Sequence, residues 1–194
     1  MKKFNINGLC GLEENYMVDM NGKIAKIKNL VSDKMYFSIG NTPKCGKSTL
    51  LAALWRRLQH QYTAVSVNFN RFNAGYPTAE KDFCREFIQQ AADELNYISS
   101  DKAYVKKWVN CSADRFVSLS GYIGDICGGK KIVLIIDDAD ITNEIFSDFL
   151  YMLGERYVLR ESGEDDNTFH SVIMAEKSNG KNTELPAKIN YAPW

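Results

Sequence analysis

Gly46-Lys47-Ser48-Thr49 opens a stretch in which Leu50, Leu51, Leu54, Trp55 and Leu58 recur at helical spacing. A short apolar run, Met35-Tyr36-Phe37-Ser38-Ile39, precedes it and reads as a strand ended by Gly40, and the turn formers of residues 41–46 lie between. Strand, turn, Gly-Lys-Ser and helix in this order form the context of a phosphate-binding Walker A loop. Backbone N–H groups and a helix N-terminus present partial positive charge to phosphate oxygens. Thr42, Pro43, Lys44, Cys45, Gly46, Lys47, Ser48 and Thr49 are therefore the expected nucleotide-binding residues. Gly46 lets the backbone approach, Lys47 reaches the β- and γ-phosphates, Ser48 offers a hydroxyl to Mg2+, and Thr49 is placed for the α-phosphate. The usual G-x-x-x-x-G-K-[S/T] spacing wants glycine at position 41, where this chain has Asn41, with Gly40 one residue earlier. Asparagine tolerates left-handed backbone better than most residues.

A second motif carries carboxylates. Ile132-Val133-Leu134-Ile135-Ile136 is an unbroken apolar run followed by Asp137-Asp138-Ala139-Asp140. Such runs belong to strands covered on both faces, and open α/β sheets bind ligands at the carboxyl ends of their strands. Asp137 is the expected metal ligand with Ser48, acting through water because magnesium keeps much of its hydration shell. Asp138 stands where many ATPases carry the glutamate that orients attacking water, so Asp138 and Lys47 are the candidate catalytic residues. Aspartate is one methylene shorter, which points to slow hydrolysis. Asp140 reads as a solvated turn acid, with Thr142 as a cap for the next helix.

The elements that must position these groups alternate. Residues 22–32 place Ile24, Ile27, Leu30 and Val31 on one helical face. Thr63 to Phe69 alternates and reads as a strand. Residues 79–97 form a helix burying Phe83, Phe87, Ile88, Ala91 and Leu95, and shorter helices are expected near 101–110 and 113–127, the second ended by Gly128-Gly129. A helix burying Ile145, Phe146, Phe149, Leu150 and Leu153 precedes a strand over Ser171 to Ala175. Strands alternating with helices predict an α/β fold: a three-layer α/β/α P-loop NTPase with a mainly parallel central sheet. The expected organisation is a lead-in over residues 1–21, a P-loop ATPase core over 22–176, and a C-terminal extension over 177–194.

Bulk composition narrows the function. The 194 residues carry 24 Lys and Arg against 24 Asp and Glu, so no strong field is available to hold nucleic acid or an anionic membrane by charge alone. The five cysteines, Cys10, Cys45, Cys84, Cys111 and Cys127, are far apart, and the two histidines are His60 and His170. Neither a zinc site nor a disulfide framework is expected, which fits a reducing, cytoplasmic setting. The start turns polar at once, and no apolar run approaches membrane-spanning length. Phe69, Phe72 and Tyr76 with Arg71 allow either base stacking on single-stranded nucleic acid or a strand end packing its own loop. Cys45 near a helix N-terminus allows redox control or a passive small residue. Glu176-Lys177 lacks the partner acids of a nuclease motif.

Further pieces join these motifs: Gly8-Leu9-Cys10, Tyr16-Met17-Val18-Asp19, Tyr36-Phe37-Ser38-Ile39, Cys45-Gly46-Lys47-Ser48-Thr49-Leu50, Val67-Asn68-Phe69, Phe83-Cys84-Arg85, Ile135-Ile136-Asp137-Asp138, Phe169-His170-Ser171-Val172-Ile173 and Pro193-Trp194. On these the chain resembles a family of bacterial AAA-like P-loop ATPases of the AAA+ or STAND (signal-transduction) type, over nearly its whole length. The resemblance implies ATP and ADP as ligands with Mg2+, and a catalytic strand lying between the phosphate-loop strand and its neighbour. Members commonly lack the first Walker A glycine and usually carry Glu where this chain has Asp138. Relatives continue past the equivalent of Trp194 into a helical lid and sometimes a nuclease-like or effector domain, so the chain is expected to be a trimmed piece. The resemblance also places Tyr16 and Val18 near the adenine. Ser178, Asn179 and Lys181 are sensor candidates. Arg115, Arg156 and Arg160 are candidate arginine fingers that would imply self-association.

Two readings follow. In the first the chain binds ATP and hydrolyses it slowly with magnesium to drive a conformational change. In the second it is a nucleotide-gated interaction module that binds ATP with little or no turnover. A small-molecule kinase is a third, weakened by the lack of an arginine-rich lid.

Overall fold

A run such as Ile132 to Ile136 has no polar side to offer water, so both faces of its strand must be covered. In the computed structural model, which describes residues 20–39, 46–72, 77–176 and 190–191, they are. Ile132, Leu134 and Ile136 pack into one apolar cluster and Val133 and Ile135 into another on the opposite face. The strands are β1 (Tyr36–Ile39), β2 (Thr63–Asn68), β3 (Ile132–Ala139), β4 (Ser171–Glu176) and β5 (Asn190–Tyr191). They form one sheet in the order β2-β3-β4-β1-β5, with every pair parallel.

Helices α1 (Asn21–Ser32) and α2 (Lys47–Leu58) cover one face, where Ile24, Ile27, Val31, Leu50, Leu54 and Leu58 meet Phe37, Ile39, Val133, Ile135 and Ile173. Helices α3 (Glu80–Ile98), α4 (Lys102–Val109), α5 (Phe116–Cys127) and α6 (Glu144–Glu161) cover the other. The three layers and parallel sheet expected from the sequence are present. No helix among the described residues is long and apolar enough to cross a membrane.

Beyond β2, a single 3-10 turn (Phe69–Arg71) leads into an aromatic cluster. Phe69 stacks against Phe72, Phe83 and Phe146 with ring centroids 4.8, 5.3 and 4.8 Å apart, and Phe83 meets Phe149 at 4.9 Å. Each buried phenyl ring contributes about 1.5–3 kcal/mol. Phe69 and Phe72 are thus core residues and have no face to offer a nucleobase, which corrects the stacking alternative; Tyr76 lies outside the described residues.

Other expectations change. The strand beside β1 is β4, and the acid-bearing β3 stands one place further out, between β4 and β2. Thr142 does not cap α6: its hydroxyl donates to Asp140 at 2.6 Å, and the next residue, Asn143, accepts from the Phe146 N–H at 2.9 Å. Two finger candidates are interior. Arg156 donates to Asp165 at 2.9 Å and to the Asn167 carbonyl at 2.6 Å. Arg160 donates to the carbonyls of Phe169 and His170 at 3.0 and 3.1 Å and to that of Lys34, and it lies over the rings of Tyr36 and Tyr157. Arg160 joins α6 to the amino ends of β1 and β4, and Arg156 holds α6 to the loop that leads into β4. Within the expected extension, Asn190 and Tyr191 pair with Phe37 and Ser38 and add a fifth strand.

Among the described residues, the outer strand β2 has one edge that no strand pairs with. The Thr63 N–H bonds inward to the Lys131 carbonyl at 3.0 Å. Backbone direction alternates along a strand, so Ala64, Ser66 and Asn68 present their backbone groups outward. The Gln59 side chain donates to the Ala64 carbonyl at 2.8 Å, and the Gln90 side chain accepts from the Asn68 N–H at 3.0 Å.

Candidate functional site

The carboxyl ends of β1 and β3 open toward the start of α2. Gly46 caps that helix in left-handed backbone, φ 83° and ψ 22°, which favours glycine. Its carbonyl accepts the Leu50 N–H at 2.9 Å and so closes the first turn. Lys47 and Ser48 are the first two helical residues; the first turn holds no acid, and among the described residues no side chain caps it. Unsatisfied N–H groups at such a terminus favour an anion. Lys47 is half-buried, Ser48 exposed and Thr49 buried. Thr42, Pro43, Lys44 and Cys45 lie outside the described residues, as do Tyr16, Val18, Ser178, Asn179 and Lys181.

Asp137 comes to the same place. Odd-numbered residues of β3 face α2, and Asp137 continues that face beyond Ile135. The Ser48 hydroxyl and the Lys47 ammonium both lie near enough to its carboxylate to favour its charge. Burial nonetheless pushes Asp137 above the usual carboxylate range, the Asp138 carboxylate adds to the rise, and the Asp138 N–H, Lys47 and Ser48 oppose it. A half-buried carboxylate beside a hydroxyl, with its charge under-compensated, offers hard oxygen donors that suit magnesium. Among the described residues no group of three or more His, Cys, Asp or Glu side chains gathers to hold a metal. Ser48 and Asp137 would therefore hold the ion only jointly with phosphate oxygens and water, which is how magnesium is usually bound.

Asp138 sits in a break of the sheet. Ile136 pairs with Met174 and Ala139 with Glu176, so β3 holds one extra residue between these pairs. Such bulges re-aim side chains. Asp138 takes φ 57°, uncommon for a residue with a Cβ. Its N–H donates to Asp137 Oδ1 at 3.0 Å, and its Oδ2 accepts from Asn68 Nδ2 at 3.1 Å. Asn68 Oδ1 in turn accepts the Asn70 N–H at 2.9 Å, so both ends of the Asn68 amide are committed and its orientation is fixed.

Asn68 is the residue against the candidate site that sequence reasoning passed over. It appears there only within Val67-Asn68-Phe69, without a role. The available signal was a polar amide at the carboxyl end of an otherwise alternating strand, level with the acid of its neighbour; Asn68 and Asp137 are register partners. Arg115 is exposed at the start of α5.

No protein-family model matches the chain, and no curated protein matches it. Among solved structures it is similar to the Aeropyrum pernix ORC2 protein, solved as ADPNP–ADP complexes, with a TM-score of 0.52 and 14% sequence identity. The match covers 92% of this chain and 48% of that one, so the chain spans about half the length of its structural neighbour. The fold is that of a P-loop NTPase.

Proposed function

We propose that the chain is an AAA-like ATPase unit that binds ATP with Mg2+ at the start of α2 and hydrolyses it slowly to drive a conformational change. The observation that carries the reading is the meeting of Lys47 and Ser48 with Asp137, two sequence motifs 89 positions apart (137 − 48), at one strand end. The nucleotide complexes of the ORC2 protein support it at the level of fold. Residues 42–49 cradle the phosphates, and Lys47 neutralises charge on the transferred group. Ser48 and Asp137 hold the ion, whose chemistry when bound is to offset phosphate charge. Asp138 orients water. Phosphoryl transfer depends mainly on positioning and charge stabilisation, so a site made of one ammonium, one helix terminus and two carboxylates suffices.

Lys47→Ala tests this. A hydrogen bond to a charged group contributes about 1.5–3 kcal/mol, so ATP affinity measured by calorimetry should fall about 10- to 150-fold. Affinity within a factor of two of the parent would sink the assignment. One observation favours the binding-only alternative: Asp138 Oδ2 is already engaged by Asn68. Phosphate release from purified protein under saturating ATP and magnesium separates the two.

A further inference from the structure

The Asn68 amide that grips Asp138 is itself held from α3. Gln90 Oε1 accepts the Asn68 backbone N–H at 3.0 Å, on the outward edge of β2 where no strand of the described residues pairs with it. The reverse orientation of the Gln90 amide would set donor against donor, so the geometry fixes which atom faces Asn68. The choice leaves Gln90 Nε2 buried and without a hydrogen-bond partner among the described residues. An orphaned buried donor is destabilising, and an apolar side chain at 90 would avoid it. Capping a strand edge is a weak return for that loss. Fixing Asn68 is a stronger one, because Asn68 sits at the last residue of β2, where the strand turns into the 3-10 turn, and its side chain is what reaches Asp138.

We infer that Gln90 is a positioning residue for the reaction: through the Asn68 N–H it sets where the Asn68 amide, and so the Asp138 carboxylate, stands. The chain of contacts runs from Gln90 Oε1 to the Asn68 N–H, then from Asn68 Nδ2 to Asp138 Oδ2, and it places the water-orienting acid under the control of α3. This rests on the proposed ATPase reading only for its effect on turnover; the contact chain itself can be read without nucleotide.

The test uses the full chain with Gln90→Met, which keeps length and loses the acceptor, Asn68→Ala, and the two combined. In nucleotide-free protein, Gln90→Met should shift the Asn68 side-chain amide resonance, identified by its disappearance in Asn68→Ala. With ATP, Gln90→Met should lower kcat about fivefold, the scale of one hydrogen bond, while ATP affinity stays within twofold. In the combined variant kcat should equal that of Asn68→Ala alone, because contacts in one chain are not additive. An unmoved resonance, or effects on kcat that multiply, overturns the inference. If the protein binds no ATP, the nucleotide reading fails and the resonance alone decides for or against Gln90. Should Gln90→Met not fold, Gln90→Glu is read instead: it keeps an acceptor, so kcat within twofold of the parent supports the inference and a fivefold loss overturns it.

Discussion

Replacing Asn68 with aspartate keeps the oxygen that accepts the Asn70 N–H at 2.9 Å and converts the donor facing Asp138 into a second carboxylate oxygen. The retained bond holds the side chain in place, so two negative charges meet at the 3.1 Å now spanned by a hydrogen bond. Their repulsion is about 1.3 kcal/mol in bulk water and about 5 kcal/mol at an effective dielectric of 20. Both residues are half-buried, so the loss in Asn68→Asp at neutral pH falls between these limits. The sign with pH follows. The introduced carboxyl is held above its unfolded value of about 3.9. Below that value it is protonated in both states and can donate to Asp138 as the amide did. As pH rises through its folded pKa the destabilisation appears in full. Urea unfolding of metal-free, nucleotide-free protein from pH 4 to 8 should give parent and variant stabilities that nearly coincide at the acid end and separate by at least about 1 kcal/mol at neutrality. A difference that is absent, or that stays constant with pH, would refute the placement of Asn68 against Asp138.

Two further substitutions probe the site and its scaffold. Asp137→Asn removes a carboxylate that burial holds above its ordinary pKa; the charge is unfavourable to folding once pH exceeds that raised value, so the metal-free variant should match the parent near pH 3, be the more stable at pH 7, and lose the magnesium dependence of nucleotide binding. Gly124→Ala would put a Cβ 2.6 Å from Arg156 Nη2 and dislodge the guanidinium from Asp165 and the Asn167 carbonyl; thermal or urea unfolding should register a loss of about 1–3 kcal/mol, with ATP affinity unchanged.

What could be read in advance divides by physical range. The β3 run and the α2 periodicity are local patterns, and they placed Lys47, Ser48 and Asp137 on the right elements. Strand order is non-local. Nothing in the composition of β4 says that it slips between β1 and β3, and the two residues of β5 are too few to carry a period. Arg156 and Arg160 looked like surface cations because arginine usually is one. The cue was that they share spacing with Phe149 and Leu153 on a helix buried nearly all round, where a cation must spend its donors on carbonyls. Asn143 displaced Thr142 as the α6 cap because the Thr142 hydroxyl is taken by Asp140. The Asn68 contact depends on a bulge and on φ 57° at Asp138, and neither leaves a trace in residue type.

The two glutamines along β2 bear on behaviour at high concentration. An open parallel sheet invites a foreign strand to dock alongside and seed filaments. Here the Gln59 amide already occupies the Ala64 carbonyl and Gln90 the Asn68 N–H. Among the described residues the Ser66 rung stands open, and an incoming chain would have to evict both amides to extend its register. Growth along that flank is thereby discouraged, and the same glutamine that steadies Asn68 also guards the molecule against self-polymerisation.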